Sequence, residues 1–247
     1  MFGKWLPGNR YKQILEESIH AVVNIDARNR VIFFNKAAEK LWGYDRSEVL
    51  GNNVNMLVPS DIRGQHDEMI DHHRRTGEDR IVGTSRDVRM TRKDGKQLWV
   101  NLSLNRITEG GKTTYTAFLH DVSKEKTAQE IIHQTLEQAI DAVVTIDQQN
   151  NITFANAAAE RLWGYSRDEI LGRNIKILVP PQHQRNHDEY VNRNRRTGED
   201  RIVGTSREVP FVNRQGEEGW INLSISKIAL DDDNILYTAF AKDVTEE

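Results

Sequence analysis

Cysteine is absent from the chain, which excludes disulfides, thiolate metal sites, cysteine nucleophiles and cysteinyl adducts to a chromophore. Also missing is any run approaching the ~18 consecutive apolar residues of a membrane-spanning helix. The start, "MFGKWLPGNRYKQ", has none of the apolar core that a signal peptide needs. The expectation is a soluble, cytoplasmic protein with no membrane partner. Charge of one sign is lacking as well: Lys and Arg number 34 against 37 Asp and Glu, a net charge of −3, with no run of five like charges. Nucleic acid and acidic membrane surfaces are therefore not expected partners.

What the chain does contain is a repeat. Its 247 residues suffice for one large domain or two modest ones. A shift of 121 residues lays "AVVNIDARNRVIFFNKAAEKLWGY" (Ala21–Tyr44) on "AVVTIDQQNNITFANAAAERLWGY" (Ala142–Tyr165) and Trp99 on Trp220; a one-residue insertion then brings Asp121 onto Asp243. The stretch "RRTGEDRIVGTSR" occurs unchanged as Arg74–Arg86 and as Arg195–Arg207. A period near ~120 residues is that of a duplicated domain, not of a solenoid.

Within the first copy, Val22–Ile25 and Val31–Phe34 are short β-branched and aromatic runs around the turn "DARN", a hairpin pattern. "NKAAEKLWGY" reads as a helix ending at Gly43, and "DRSEVLG" as a second between a capping Asp45 or Ser47 and Gly51. Pro59 and Ser60 open a third helix that Gly77 closes. Strand-like runs follow at Arg80–Thr91, Leu98–Ile107 and Thr113–Val122, separated by the turns "KDGK" and "EGGK". The order ββαααβββ predicts an α+β class: in each copy a five-stranded antiparallel sheet with helices crossing one face.

Residues 1–18 are expected to form a flanking helix and 123–139 a helical linker, with domains at 19–122 and 140–247. Across the linker, Ala128, Ile132, Leu136, Ala139 and Val143 make an apolar seam, suited to a partner helix from a second copy or to packing on its own sheet.

Alternation along the run 80–91 places Val82, Thr84, Arg86, Val88 and Met90 on the more apolar face, so Arg86 is expected to turn inward with them. An inward arginine is costly unless an anion or strong acceptor meets it. The second copy repeats this with Val203, Thr205, Arg207 and Val209. On the preceding helix His66 lies among Ile62, Met69 and Ile70, and His187 precedes Tyr190 and Val191. Such a histidine is in most proteins a hydrogen-bonded core residue; imidazole is also a good iron ligand. Leu98, Val100, Leu102 and Leu104 line one face of the next strand, as Gly219, Ile221, Leu223 and Ile225 do in copy two. A greasy wall, one inward arginine and one helix histidine describe a cavity for a flat apolar ligand with a hydrogen-bond acceptor. Haem, a flavin and an empty core all satisfy that description.

The segments "FFNKAAEKLWGY", "GNNVNMLVP", "RGQHDEMI", "RTGEDRIVGTSRDV", "RKDGKQLWVNLSL" and "TAFLHDVS" resemble the haem-binding PAS domains of the oxygen-sensor kinase FixL and of the direct-oxygen-sensor (Dos) phosphodiesterases. The resemblance covers about residues 19–123 and 140–245. Its most specific part is a histidine followed 20 residues later by the strand arginine, here His66 to Arg86 and His187 to Arg207.

The resemblance implies one haem b per domain, with His66 and His187 as axial ligands. It makes Arg86 and Arg207 distal residues that hydrogen-bond bound oxygen or a propionate, and puts Arg80 and Arg201 near the propionates. Val82, Thr84, Leu102, Leu104, Val203, Thr205, Leu223 and Ile225 become the pocket wall. Where the Dos enzymes carry an iron-ligating methionine this chain has Thr84 and Thr205, which implies an open sixth position. Where soluble PAS-haem chemoreceptors use a final-strand tryptophan, it offers the hydroxyls of Tyr115 and Tyr237. The implied function is a sensor of O2 or another diatomic gas such as CO or NO, a homodimer through its flanking helices, with no catalysis of its own. The end "DVTEE", where an output-coupling helix should begin, suggests the input half of a longer signalling protein with its output domain in cis. Two rivals share the fold: a non-covalent flavin redox pair and a ligand-free dimerisation module. Enzymatic use of "HDE" as a metal-phosphohydrolase site is disfavoured, because no second histidine cluster accompanies it.

Overall fold

A computed structural model describes residues 7–76, 82–109, 112–198, 203–230 and 234–246. The chain divides into two compact units, Met1–Ala128 and Gln129–Glu247. In the first, α1 (Pro7–Glu16) precedes β1 (Ala21–Ile25), β2 (Val31–Phe34), α2 (Lys36–Trp42), α3 (Arg46–Val49), a 3-10 helix (Val54–Leu57) and α4 (Ser60–Thr76). β3 (Ser85–Thr91), β4 (Gln97–Glu109) and β5 (Lys112–Asp121) follow, and α5 (Ser123–Glu137) begins in the first unit and ends in the second. The sheet is antiparallel in the order β2-β1-β5-β4-β3, so the chain's first hairpin lies beside its last strand.

The second unit repeats this with β6 (Ala142–Ile146), β7 (Ile152–Ala155), α6 (Ala157–Trp163), α7 (Arg167–Ile170), a 3-10 helix (Ile175–Leu178), α8 (Pro181–Thr197), β8 (Ser206–Val212), β9 (Glu218–Ala229) and β10 (Ile235–Asp243). Its sheet order is β7-β6-β10-β9-β8. The expected α+β class and five-stranded antiparallel sheets are thus observed in both units.

The hairpin forms because Asn29 and Asn150 accept the left-handed conformation its turn needs (φ 60° and 64°), a region asparagine tolerates better than other side chains. Asn35 then starts α2: its Oδ1 accepts from the Ala38 N–H at 2.9 Å, while Gly43, at φ 78°, ends the helix by donating to the Glu39 carbonyl. The core gathers Val23, Phe34, Trp42, Val49, Met90 and Val100 between sheet and helices, each fully or almost fully buried. Each such side chain contributes roughly 1.5–3 kcal/mol of transfer free energy. The Trp42 indole N–H reaches the Leu57 carbonyl at 3.1 Å, satisfying the one polar atom this ring carries inside.

Two expectations are corrected. Of the strand expected over 80–91, residues 80 and 81 lie outside the described residues; within 82–91 the strand begins at Ser85, because Gly83 adopts φ 75° and the chain turns there, leaving Val82 in an isolated parallel bridge to Leu104. Gly204, at φ 73°, does the same before β8, with Val203 bridging Ile225. Val82, Arg86, Val88 and Met90 keep the expected face and border one cavity, with Arg86 exposed, whereas Thr84, in the break before Ser85, is exposed and does not line it. The apolar seam also fails at its end. α5 stops at Glu137 and Val143 is fully buried in β6, while Ile131 and Ile132 are exposed on the helix. On the outer sheet face Trp99 lies between the Arg89 guanidinium and the Lys126 ammonium of α5, whereas Trp220 is exposed.

Candidate ligand cavity

α4 carries no fully buried residue, because the face it turns to the sheet borders a cavity and not packed side chains. Ile62, His66, Met69, Ile70 and His73 form that face, at the 3.6-residue period of an amphipathic helix. The opposite wall is the sheet, with Val23 of β1, Val88 of β3, Val100, Leu102 and Leu104 of β4, and Tyr115 of β5. The enclosed volume is about 410 Å³, within the ~300–1,000 Å³ of pockets that hold small ligands and cofactors. His66 and Arg86 border it from opposite sides. Arg86 faces Leu102 across the β3–β4 ladder and, being exposed, stands at the mouth.

Half-buried His66 owes its orientation to a chain of side-chain amides. Asp67, ionised and able only to accept, takes hydrogen bonds from the amide nitrogens of Asn29 (2.7 Å), Asn53 (3.0 Å) and Asn55 (2.7 Å). With its NH2 committed to Asp67, Asn55 presents Oδ1 to His66 Nδ1 at 3.0 Å. An amide oxygen cannot donate, so the proton on the neutral ring belongs to Nδ1 and the Nε2 lone pair is left for a ligand. Metal-binding imidazoles are oriented in this way, by an acceptor at the nitrogen that does not ligate.

In the second unit Asp188 accepts from Asn150 at 3.1 Å and from Asn174 at 3.3 Å, as Asp67 does from their counterparts. Arg207 faces Leu223 across β8–β9 and is exposed, as is Thr205, while Leu223 and Ile225 are half-buried. Arg80 and Arg201 lie outside the described residues. Tyr115 and Tyr237 are both buried; Arg74 lies 5.3 Å from the centre of the first ring and Arg195 5.0 Å from that of the second. The Tyr237 hydroxyl donates to Asn194 Oδ1 at 2.5 Å, which engages it with α8. Among the described residues no group of three or more His, Cys, Asp or Glu is placed to hold a bare metal ion.

Several residues that shape the cavity escaped sequence reasoning. Arg74 donates to the carbonyls of Ala27 (2.9 Å) and Asp26 (2.8 Å), fastening the end of α4 to the β1–β2 turn, and Arg195 reaches the Asp147 carbonyl likewise. Asn29, Asn53, Asp67 and Arg74 all recur 121 residues later, a signal that repetition of polar residues in the loops could have supplied.

Burial disfavours the charged form of both imidazoles and lowers their pKa below the ordinary 6.5, although the carboxylate beside each ring pulls the other way; Lys176 lowers that of His187 further. Between the folded and unfolded values the unfolded chain binds more protons. The stabilising contribution is therefore complete above about pH 6.5 and is lost as pH falls through the depressed folded value. In the ligand-free chain the urea midpoint should drop as pH is lowered from 7 to 5, and His66→Gln with His187→Gln should flatten that slope. An equal slope in the double variant would refute the assignment.

Comparison with known proteins shows the fold family of both units. A family model described as PAS fold matches residues 9–122 and 130–244. The oxygen sensor protein DosP of Escherichia coli is 36% identical over 222 residues, 87% of this chain and 27% of DosP. The sensor protein FixL of Bradyrhizobium diazoefficiens is 30% identical over 129 residues, 52% of this chain and 26% of FixL. The chain thus spans about a quarter of the length of these two relatives.

Proposed function

The chain belongs to the PAS-fold family, in two copies, and from that premise we propose that it is a sensory input region holding one b-type haem in each domain and sensing O2. The observation that carries the proposal is His66, whose Nδ1 is occupied by Asn55 so that Nε2 is free, on a helix across an apolar cavity from Arg86. These residues fit a haem: one oriented imidazole, a predominantly apolar wall, and a cation at the border for propionates. The likeness to an oxygen sensor over most of the chain supports the reading.

A bound haem supplies an iron that takes up diatomic gases. The chain does the rest. His66 and His187 would hold the group in place through Nε2. Leu102 and Leu104, with Leu223 and Ile225 in the second domain, exclude water from the side away from the histidine. Arg86 and Arg207 would hold a propionate or an acceptor in the pocket through their guanidinium groups, and Tyr115 would offer a hydroxyl from the last strand, whereas the Tyr237 hydroxyl would first have to leave Asn194. Arg80 and Arg201 are assigned to the propionates by the resemblance alone.

The exit for the signal is α5. Lys126 in its first turn pairs with Asp87 at 2.7 Å, and Asp87 is the neighbour of Arg86 on β3. A homodimer through exposed Ile131 and Ile132, and an output domain in cis, complete the proposal. Absorbance of the purified ferrous chain tests it: a Soret band that shifts when O2 is admitted is expected. A yellow, iron-free chromophore or no chromophore at all would overturn it.

A further inference from the structure

One position separates the two polar cradles that hold the histidine–aspartate pairs. Asn55, which fixes the His66 ring, is replaced 121 residues later by Lys176. Lys176 does not act as the acceptor that Asn55 provides. Its ammonium lies 2.5 Å from Asp188 Oδ2, and an ammonium has no lone pair with which to accept an imidazole proton. His187 Nδ1 is accordingly buried with no hydrogen-bond partner among the described residues. The rest of the cradle is the same in both copies, since Asn150 and Asn174 still donate to Asp188. Within the cradle the difference is thus the acceptor at Nδ1.

We infer that Asn55 is a positioning residue that pre-sets His66 as an Nε2 ligand, and that Lys176 withholds this from His187, so that the first domain is the tight metal-porphyrin site and the second the weak one. The inference rests on the haem reading for its consequence but not for its mechanism. To ligate through Nε2, His66 needs no proton rearrangement. His187 must place its proton on Nδ1, in a buried setting without an acceptor and beside a cation, and a ring N–H buried unpaired is unfavourable. An N–H···O bond also raises the basicity of the opposite nitrogen, a gain only His66 receives.

The deciding experiment is long-range ¹H–¹⁵N spectroscopy of the full haem-free chain labelled with ¹⁵N-histidine, at a pH where both rings are neutral. His66 should show a single tautomer protonated at Nδ1, and His187 a mixture or the Nε2-protonated form. Asn55→Ala should abolish the preference of His66. Lys176→Asn, which installs the first copy's own residue and so leaves the cradle intact, should give His187 the pattern of His66. Identical tautomers in the two wild-type rings, or a His187 unmoved by Lys176→Asn, would overturn the inference. Haem titration supplies the second readout: the His66→Ala chain, with only the second site, should bind about 10–100-fold more weakly than His187→Ala, and Lys176→Asn should recover the loss. Equal affinities unaffected by Lys176→Asn would also overturn it. Should neither chain take up haem, the proposed function fails while the tautomers still decide the roles of Asn55 and Lys176.

Discussion

His66→Ala is expected to empty the first domain of haem and leave the second loaded, reducing the content from two haems per chain to one. The magnitude follows from the architecture of the cavity. His66 is the ring oriented by a neighbouring amide, and the remaining wall toward α4 is supplied by Ile62 and Ile70, which cannot ligate, and by Met69, whose thioether is a weaker ligand than an imidazole. Loss of the partner that orients a ligand costs about 10–100-fold in affinity, so loss of the ligand itself should exceed about 100-fold. His73 also borders the cavity, seven residues along the same helix, and is the side chain that could rescue the variant. Its equivalent in the second copy is Asn194. His73→Ala should therefore retain both haems. Soret absorbance per chain decides between the two positions: loss on removing His73 and retention on removing His66 would reverse the assignment.

Replacement of Asn35 should cause the largest loss of stability outside the apolar core. Its side chain is completely buried and makes four hydrogen bonds, all that an amide of this geometry readily makes. Oδ1 accepts from the backbone N–H groups of Val22 and Ala38, each at 2.9 Å, and Nδ2 donates to the carbonyls of Leu15 (2.9 Å) and His20 (3.0 Å). One residue thereby joins the last turn of α1, the segment after it, the start of β1 and the first turn of α2. Asn35→Leu keeps the volume roughly constant and removes the partner of four backbone groups, two of them, the Val22 and Ala38 N–H, in buried bonds and two in half-buried ones. At about 1–3 kcal/mol for each unsatisfied group, reduced by partial relaxation, a loss of about 3–5 kcal/mol is expected in the first unit. Asn156→Leu should do the same in the second, where Asn156 bonds Val143, Ala159, Leu136 and Asp141. Urea unfolding followed by intrinsic fluorescence measures both. A change below about 1 kcal/mol would show that the network is dispensable.

The local elements follow from local chemistry, which is why their order could be read in advance. Period-two alternation marks Leu98, Val100, Leu102 and Leu104 as one face, and β4 turns them inward, because a strand has no other way to bury a greasy set. Helical spacing puts Ile62, His66, Met69, Ile70 and His73 on one stripe whatever they face. The 20-residue interval from His66 to Arg86 likewise placed one residue on each side of the cavity. The error over 80–91 has a local cause: alternation reports on side chains, whereas Gly83 broke the strand through its backbone angle.

Asn35, Asn55 and Asp67 resisted such reading because polar residues in turns carry no periodicity, and their partners come from elements far apart in the chain. Asp67 on α4 gathers Asn29 from the hairpin turn with Asn53 and Asn55 from the 3-10 segment, an encounter that exists only once helix and sheet have closed. The sequence by itself determined the duplication, the α+β class, the sheet-forming runs and the histidine–arginine spacing, since each depends on interactions within one element or between adjacent ones. The tertiary structure alone decided the ring nitrogen that carries the proton on His66, and it alone denied His187 the same acceptor. Direction in a hydrogen bond is set by which atoms meet across the closed fold, and an asparagine and a lysine at equivalent positions look interchangeable until that meeting occurs.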